Sequence, residues 1–358
     1  MLCALLELLT EKAPARNGDW QRIEGRTGWE RRIRTPTNRA RACRPTIKRS
    51  PNWHEDVNEL RLSCQEFRLR RPGIGRYNPC MMIERRKPVV AGMFYPSSRD
   101  ELSHELIRLC GAPHGSGHLE SSQGLIAPHA GYVYSGAVAG LGYREVASHG
   151  TPEWAIILGS NHTGMGSPIS IAIDGKWDTP LGTSRIERGM AQRLVDSGAS
   201  VAPEAFLREH SIEVQLPFLQ HLFGTDLPFV PICVMLPALS DVIAFGAGIA
   251  SVASGSPGIV IASSDFTHYE PDEVARRIDL EAIDLILALD VEGFYRKLIS
   301  ERLTICGGGA IAVLMSCARS LGWRARLVEY ATSGDVSGDR SAVVGYAAIS
   351  FIGGTDVK

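Results

Sequence analysis

Three histidines close three short apolar runs in the same way. Leu125-Ile126-Ala127-Pro128 leads into His129, Ile156-Ile157-Leu158-Gly159-Ser160-Asn161 into His162, and Ile261-Ala262-Ser263-Ser264-Asp265-Phe266-Thr267 into His268. A fourth segment, Thr304-Ile305-Cys306-Gly307-Gly308-Gly309-Ala310, sets a cysteine ahead of three glycines and an apolar helical stretch. In open α/β sheets, ligands bind beyond the carboxyl ends of the strands, so loops far apart in sequence can meet in one pocket. A cysteine at the start of a helix is favoured as thiolate by the helix dipole. Imidazole nitrogen plus thiolate is a borderline-soft donor set suited to zinc, iron(II) or copper, and three protein ligands leave a position open for water or substrate.

Each piece also has an ordinary structural reading. A lone loop histidine commonly caps or hydrogen-bonds, and Cys306 alone is a small buried hydrophobe. The run Gly307 to Gly309 can serve as a tight turn or cradle a phosphate, although it lacks the Lys and Ser/Thr of the nucleotide-binding loop. In Arg208-Glu209-His210-Ser211-Ile212-Glu213-Val214-Gln215-Leu216-Pro217, the i, i+3 spacing of His210 and Glu213 permits ligation, a salt bridge, or a clamp on a ligand, and the clamp is favoured. His104, His114, His118, His149 and His221 read as surface or packing residues.

These loops need a frame, and the chain from Pro88 onward supplies one. Short apolar runs at Gly124 to Ala127, Trp154 to Leu158, Phe229 to Met235, Ile259 to Ala262, Arg326 to Tyr330 and Val343 to Phe351 read as strands. Between them, Arg99 to Leu109, Ser135 to Val146, Glu187 to Asp196, Asp241 to Val252, Asp272 to Leu289 and Ala310 to Leu321 read as helices. Ser240-Asp241 and Pro271-Asp272 offer N-cap chemistry, while Gly111 and Gly322 stand where C-terminal glycines belong. The alternation predicts one α/β domain, residues 83–358, with a doubly wound, mostly parallel sheet flanked by helices.

Residues 1–82 differ in kind. The first 80 hold 17 basic against 9 acidic residues, so the near-neutral total conceals a basic start and an acidic remainder. Arg-rich runs among scattered Pro, Asn and Trp show no period of 2 or 3.6. A nucleic-acid arm or a transit peptide is a functional alternative, the latter weakened by Glu7, Glu11, Asp19 and Glu24. The favoured reading is a poorly ordered extension, of the kind that translation from a start codon upstream of Met81 and Met82 would create. No window approaches the ~20 apolar residues of a membrane span, and neither nucleic acid nor membrane is expected as a partner. The cysteines show no CxxC or disulfide-like spacing, which fits reduced thiols in cytoplasm.

In order along the chain stand Ala127-Pro128-His129-Ala130-Gly131-Tyr132, Gly159-Ser160-Asn161-His162, Glu209-His210-Ser211-Ile212-Glu213, Ser263-Ser264-Asp265-Phe266-Thr267-His268 and Ile305-Cys306-Gly307. With the opening Pro88-Val89-Val90-Ala91-Gly92-Met93-Phe94-Tyr95-Pro96, they make the region from about Arg86 to Gly353 resemble the Memo family, whose prokaryotic members are called AmmeMemoRadiSam system protein B. The resemblance implies a fold related to class III extradiol dioxygenases, with His129 and His162 as metal ligands and Cys306 where those enzymes have a carboxylate. It also implies His268 as acid/base, Asp265 as a pocket carboxylate, iron(II) or copper as cofactor, and a functional link to radical-SAM and AMMECR1-like proteins.

Three functions follow as expectations. The leading one is a metal-dependent redox enzyme acting on an unknown small molecule or peptide. The second is a cysteine hydrolase or amidase with Cys306 as nucleophile and His268, oriented by Asp265, as base. The third is a non-catalytic metal- or peptide-binding module.

Overall fold

The computed structural model describes residues 84–113 and 117–353. The Arg-rich segment, and with it the reading of an extension, lies outside the described residues, as does His114.

The alternating pattern produces a nine-stranded mixed sheet with helices on both faces. Its centre is four parallel strands, β1 (Gln123–Ala127), β2 (Ala155–Ser160), β3 (Phe229–Val234) and β4 (Ile259–Ser263), in spatial order β1-β4-β2-β3. Every residue of these four is buried, which is why they read as continuous apolar runs rather than as an alternation. Full burial of Leu125, Ile126, Ile156, Ile157, Val260 and Ile261 contributes about 1.5–3 kcal/mol per side chain relative to exposure.

Outside this centre the sheet is mixed, with antiparallel neighbours on both margins and one further short parallel pair, Ile169–Ile171 with Ser200–Val201. The strands β5 (Trp323–Thr332) and β6 (Val343–Gly353) pair antiparallel with each other, and β6 pairs antiparallel with β1. Only residues 333–342 join β5 to β6, too few for the crossover that a parallel pair needs. At the other margin Ile169–Ile171 runs antiparallel to β3. A separate three-stranded sheet contains Arg85–Arg86, Lys176–Thr179 and Gly182–Arg185.

The main helices are α1 (Arg99–Cys110), α2 (Tyr132–Ala147), α3 (Leu239–Ala253), α4 (Asp272–Leu287) and α5 (Gly308–Ser320). A Cβ on Gly142 of α2 would lie 2.9 Å from Leu125 and from Ala348, whereas a Cβ on Gly124 would meet Leu314 of α5 at 3.0 Å. Neighbouring residues of a strand point to opposite faces, so α2 and α5 cover opposite sides of the sheet.

Gly111 and Gly322 adopt φ of 83° and 66°, as helix-terminating glycines should. The expected N-caps do not form. The helix α3 begins at Leu239, ahead of Ser240-Asp241, with Ala238 as an N-cap that makes no side-chain bond. Asp272 lies inside the first turn of α4 and bonds Arg276, Thr332 and Arg340. Tertiary ion pairing takes this carboxylate away from the helix end.

Candidate metal site

The strands β1, β2 and β4 end on the same edge of the sheet, and each passes directly into one of the histidine loops. After β1, Pro128 has no N–H to extend the ladder, and the chain turns His129 inward until it is 2% exposed. The Asp265 carboxylate holds this turn, with Oδ1 accepting from the backbone N–H of His129 at 2.8 Å and of Ala130 at 3.2 Å.

The hydrogen bonds around His129 settle its tautomer. Its Nδ1 lies 3.0 Å from Ser263 Oγ. That hydroxyl donates to Ser211 O at 2.7 Å and accepts from Gln215 Nε2 at 2.7 Å, so towards His129 it can only accept again. Nδ1 therefore carries a hydrogen, and Nε2 faces the Cys306 sulfur at 3.1 Å. His162 is held in the same sense: Nδ1 donates to Glu209 Oε1 at 2.9 Å and leaves Nε2 towards the pocket.

Glu209 organises the second loop. Fully buried, it also accepts from the backbone N–H groups of His162 at 2.7 Å and of His210 and Ser211 at 2.9 Å each. Burial would raise its pKa, but the hydrogen bond from His162 and the nearby imidazoles prevail and hold it at about 2. The spacing argument had selected Glu213 instead, and that expectation is corrected. Glu213 bonds Arg86, Tyr95 and the backbone N–H groups of Val89 and Val90, anchoring the N-terminal strand segment rather than a ligand. Residues 211–212 form a hydrogen-bonded turn, closed by Val214 N on His210 O at 3.1 Å, that leads into the short helix at Glu213, yet the two side chains part: Glu213 turns to Arg86 and Tyr95 while His210 joins the imidazoles. His210 is corrected as well: its ring lies among the other imidazoles, 4.6 Å from His162 and nearly parallel to it, and 5.5 Å from His129.

Cys306 precedes α5, whose first residues follow without a side-chain cap. The backbone N–H of Asp265 donates to its sulfur at 3.2 Å. Burial would raise the thiol pKa, but the charge and hydrogen bonds of His129 and His162 outweigh burial and place it well below the usual thiol range. Both imidazoles respond in kind. Desolvation lowers them, while Cys306 with Asp265 lifts His129 and Cys306 with Glu209 lifts His162, both ending above the ordinary histidine range. His210 goes the other way, to about 3, through desolvation and the neighbouring imidazoles.

One donor atom from each of His129, His162 and His210 lies within 4.8 Å of the others, and the same holds for His129, Asp265 and Cys306. The sulfur meets His129 Nε2 at 3.1 Å, and His129 links the two groups. A thiolate, the Asp265 carboxylate and three imidazoles form a set that a divalent cation fits by charge and softness.

His268 is bound separately. Its Nδ1 lies 2.7 Å from Phe266 O and 2.9 Å from Thr304 O, so Nδ1 carries hydrogen and Nε2 is the free nitrogen. Asp265, expected to orient it, instead makes the backbone bonds of the His129 loop. Sequence reasoning also missed Glu209, Ser263 and Gln215 as the groups that fix the imidazoles. The available signal was Glu209 standing directly before a histidine in a segment without helical period.

A family model for Memo-like proteins matches residues 86–350. The chain is similar to MEMO1 family proteins of Desulfurococcus amylolyticus (42% identity, covering 75% of this chain and 99% of the relative), Methanosarcina acetivorans (44%; 75% and 99%) and Thermotoga maritima (42%; 75% and 100%). Among solved structures, uncharacterized protein JW3007 from Escherichia coli K12 aligns with a TM-score of 0.45 and 11% identity, over 64% of this chain and 99% of that one.

Proposed function

Because this chain belongs to the Memo family, we propose that it is a metal-binding protein that holds iron(II) or copper through His129, His162 and Cys306 and acts as a metal-dependent redox enzyme. The observation that carries the reading is the 3.1 Å approach of His129 Nε2 to the Cys306 sulfur, with Nδ1 already committed to Ser263. A bound ion would supply Lewis acidity and one-electron chemistry at this point.

The chain's own residues would do the rest. Asp265 and Glu209 hold the two histidine loops at fixed spacing. His268, with Nδ1–H tied to two carbonyls, keeps Nε2 available to take or give a proton at a substrate oxygen or nitrogen. The substrate is an unidentified small molecule or peptide, and the proposal includes a functional link to radical-SAM and AMMECR1-like proteins. Free thiols at Cys110, Cys233, Cys306 and Cys317 suit a reducing cytoplasm, and among the described residues no helix is long and apolar enough to cross a membrane.

Metal analysis of anaerobically purified protein tests the reading. Near-stoichiometric iron or copper in the wild type, lost in His129→Ala and in His162→Ala, is the expected outcome. A wild type that neither carries nor takes up metal sinks it. A cysteine hydrolase is the second reading, drawn from the same thiolate–imidazole contact with His129 in the place foreseen for His268. Stoichiometric labelling of Cys306 by a substrate-like electrophile in chelated protein, followed by turnover, would favour it.

A further inference from the structure

We propose that His210 is an alternative metal ligand, so that one ion can be held by either of two donor sets that share His129 and His162. One set is completed by the Cys306 thiolate and the other by the His210 imidazole. The proposal rests on the metal-site reading above and goes beyond it in assigning His210 and in predicting which ions survive loss of the thiolate.

His129 ties the two sets to one ion. With Nδ1 bonded to Ser263, its Nε2 is the single nitrogen open to a metal, and it belongs to both groups of donors. Two ions cannot each claim it, so the two groups serve one ion, and they place His210 with His162 in one and Cys306 with Asp265 in the other.

His210 is placed as a ligand rather than as a hydrogen-bonding residue. Glu209 Oε1 already accepts from His162 Nδ1 and from the backbone N–H groups of His210 and Ser211. His210 Nδ1 stops 3.7 Å from that oxygen, beyond hydrogen-bond length. What positions the ring is packing: Phe94 meets it edge-on at 4.9 Å and His162 stacks on it with an interplanar angle of 17°. Its backbone is pinned at both ends, by its own N–H on Glu209 and by Val214 N donating to its carbonyl at 3.1 Å. The imidazole makes no side-chain hydrogen bond to another described residue and its side chain is 23% exposed, so a ring nitrogen is left open to the pocket. A metal bond would give that nitrogen a partner. Ligand softness then separates the sets: softer, lower-valent ions favour the thiolate, while copper(II) and zinc are well held by imidazoles alone.

The test uses the full chain as wild type, Cys306→Ser, His210→Asn and the double variant, with cobalt(II) and copper(II) as probes. Wild type and His210→Asn should both show the thiolate-to-cobalt charge-transfer band. Cys306→Ser should lose the band yet still bind copper(II), with three nitrogens in its electron paramagnetic resonance coupling. Adding His210→Asn should reduce the count to two and weaken copper binding by at least about tenfold. The nitrogen count is read on bound ion only, so partial misfolding of a variant does not blur it. The proposal is overturned if Cys306→Ser binds no copper while the wild type does, or if it binds with a nitrogen count that His210→Asn leaves unchanged. A wild type that binds neither probe instead overturns the metal site on which the proposal rests.

Discussion

At His129 and His162 the hydrogen bond made by one ring nitrogen determines what the other nitrogen can do. His129 Nε2 faces a sulfur held as thiolate, and both rings are raised above the ordinary histidine value. His162 is lifted to about 10, so at neutral pH its pocket nitrogen is protonated and a metal must displace that proton. Metal affinity should therefore rise with pH through the neutral range, with at least one proton released per ion. Calorimetry of zinc binding in two buffers of different ionisation enthalpy measures that release, and equal heats in both would contradict it. Glu209 is the residue on which the second loop depends. Glu209→Ala should destabilise the fold by about 2–4 kcal/mol, because it strands buried N–H groups and the imidazole of His162, and should weaken metal binding about 10–100-fold. Denaturant melts and metal titration of the variant check both.

The elements bring the loops together through two close approaches that a side chain would prevent. A Cβ on Gly309 would lie 2.0 Å from the carbonyl oxygen of Met235, just past the end of β3, so α5 can present Cys306 at the pocket only with glycine there. Gly309→Ala should cost several kcal/mol, roughly the upper range of single substitutions, and should push Cys306 away from His129; loss of the cobalt–thiolate band with retained helix content would register the shift. Behind His268, the buried carboxylate of Asp279 accepts from Thr267 N–H at 3.0 Å and from Tyr330 hydroxyl at 2.7 Å, and its Oδ2 fills the space a Cβ on Gly345 would take. Helix α4 thus supports the His268 turn through the backbone of Thr267. Asp279→Ala should destabilise by about 1–3 kcal/mol through the unsatisfied N–H, whereas Tyr330→Phe should cost less, since it removes a donor and leaves the backbone bond in place. Thermal melts of the two variants would rank them, and the reverse order would count against Asp279 as the support of that turn.

For the whole molecule, two ion networks tie distant segments together. Arg86 and Glu213, both buried, pair at 2.7 Å, with the guanidinium also bonded to the carbonyls of Phe206 and Glu209 and packed over Trp177. Arg86→Ala should cost about 3–5 kcal/mol by leaving a buried carboxylate unpaired. On the other side Asp272 is held at about 2, against an ordinary 3.8, chiefly by the Arg276 hydrogen bond, with Thr332 and Arg340 assisting against the opposing effect of burial. A depressed carboxyl stabilises the fold above its unfolded value and loses that contribution as pH falls through its folded value, so the loss runs from about pH 4 down to about 2 and amounts to on the order of 1–2 kcal/mol. Urea midpoints at pH 5 and pH 3 should fall further in the wild type than in Asp272→Asn. Residues 83–358 are proposed as the functional unit, and a chain starting at Met82 should bind metal as the full chain does.

From the sequence alone, the α/β alternation, the six named strands, the six named helices and the three histidine-bearing strand ends were legible, because burial writes period and composition into each segment locally. The family resemblance carried His129, His162 and Cys306 on the same local motifs. What tertiary structure alone decided was which polar group meets which. Glu209 rather than Glu213 holds His162, Asp265 holds the His129 loop rather than His268, and the margins of the sheet run antiparallel. Those outcomes depend on distances across 40 to 180 residues of chain, where spacing along the sequence carries no geometric information, and a carboxylate bonds whatever donors packing leaves within about 3 Å.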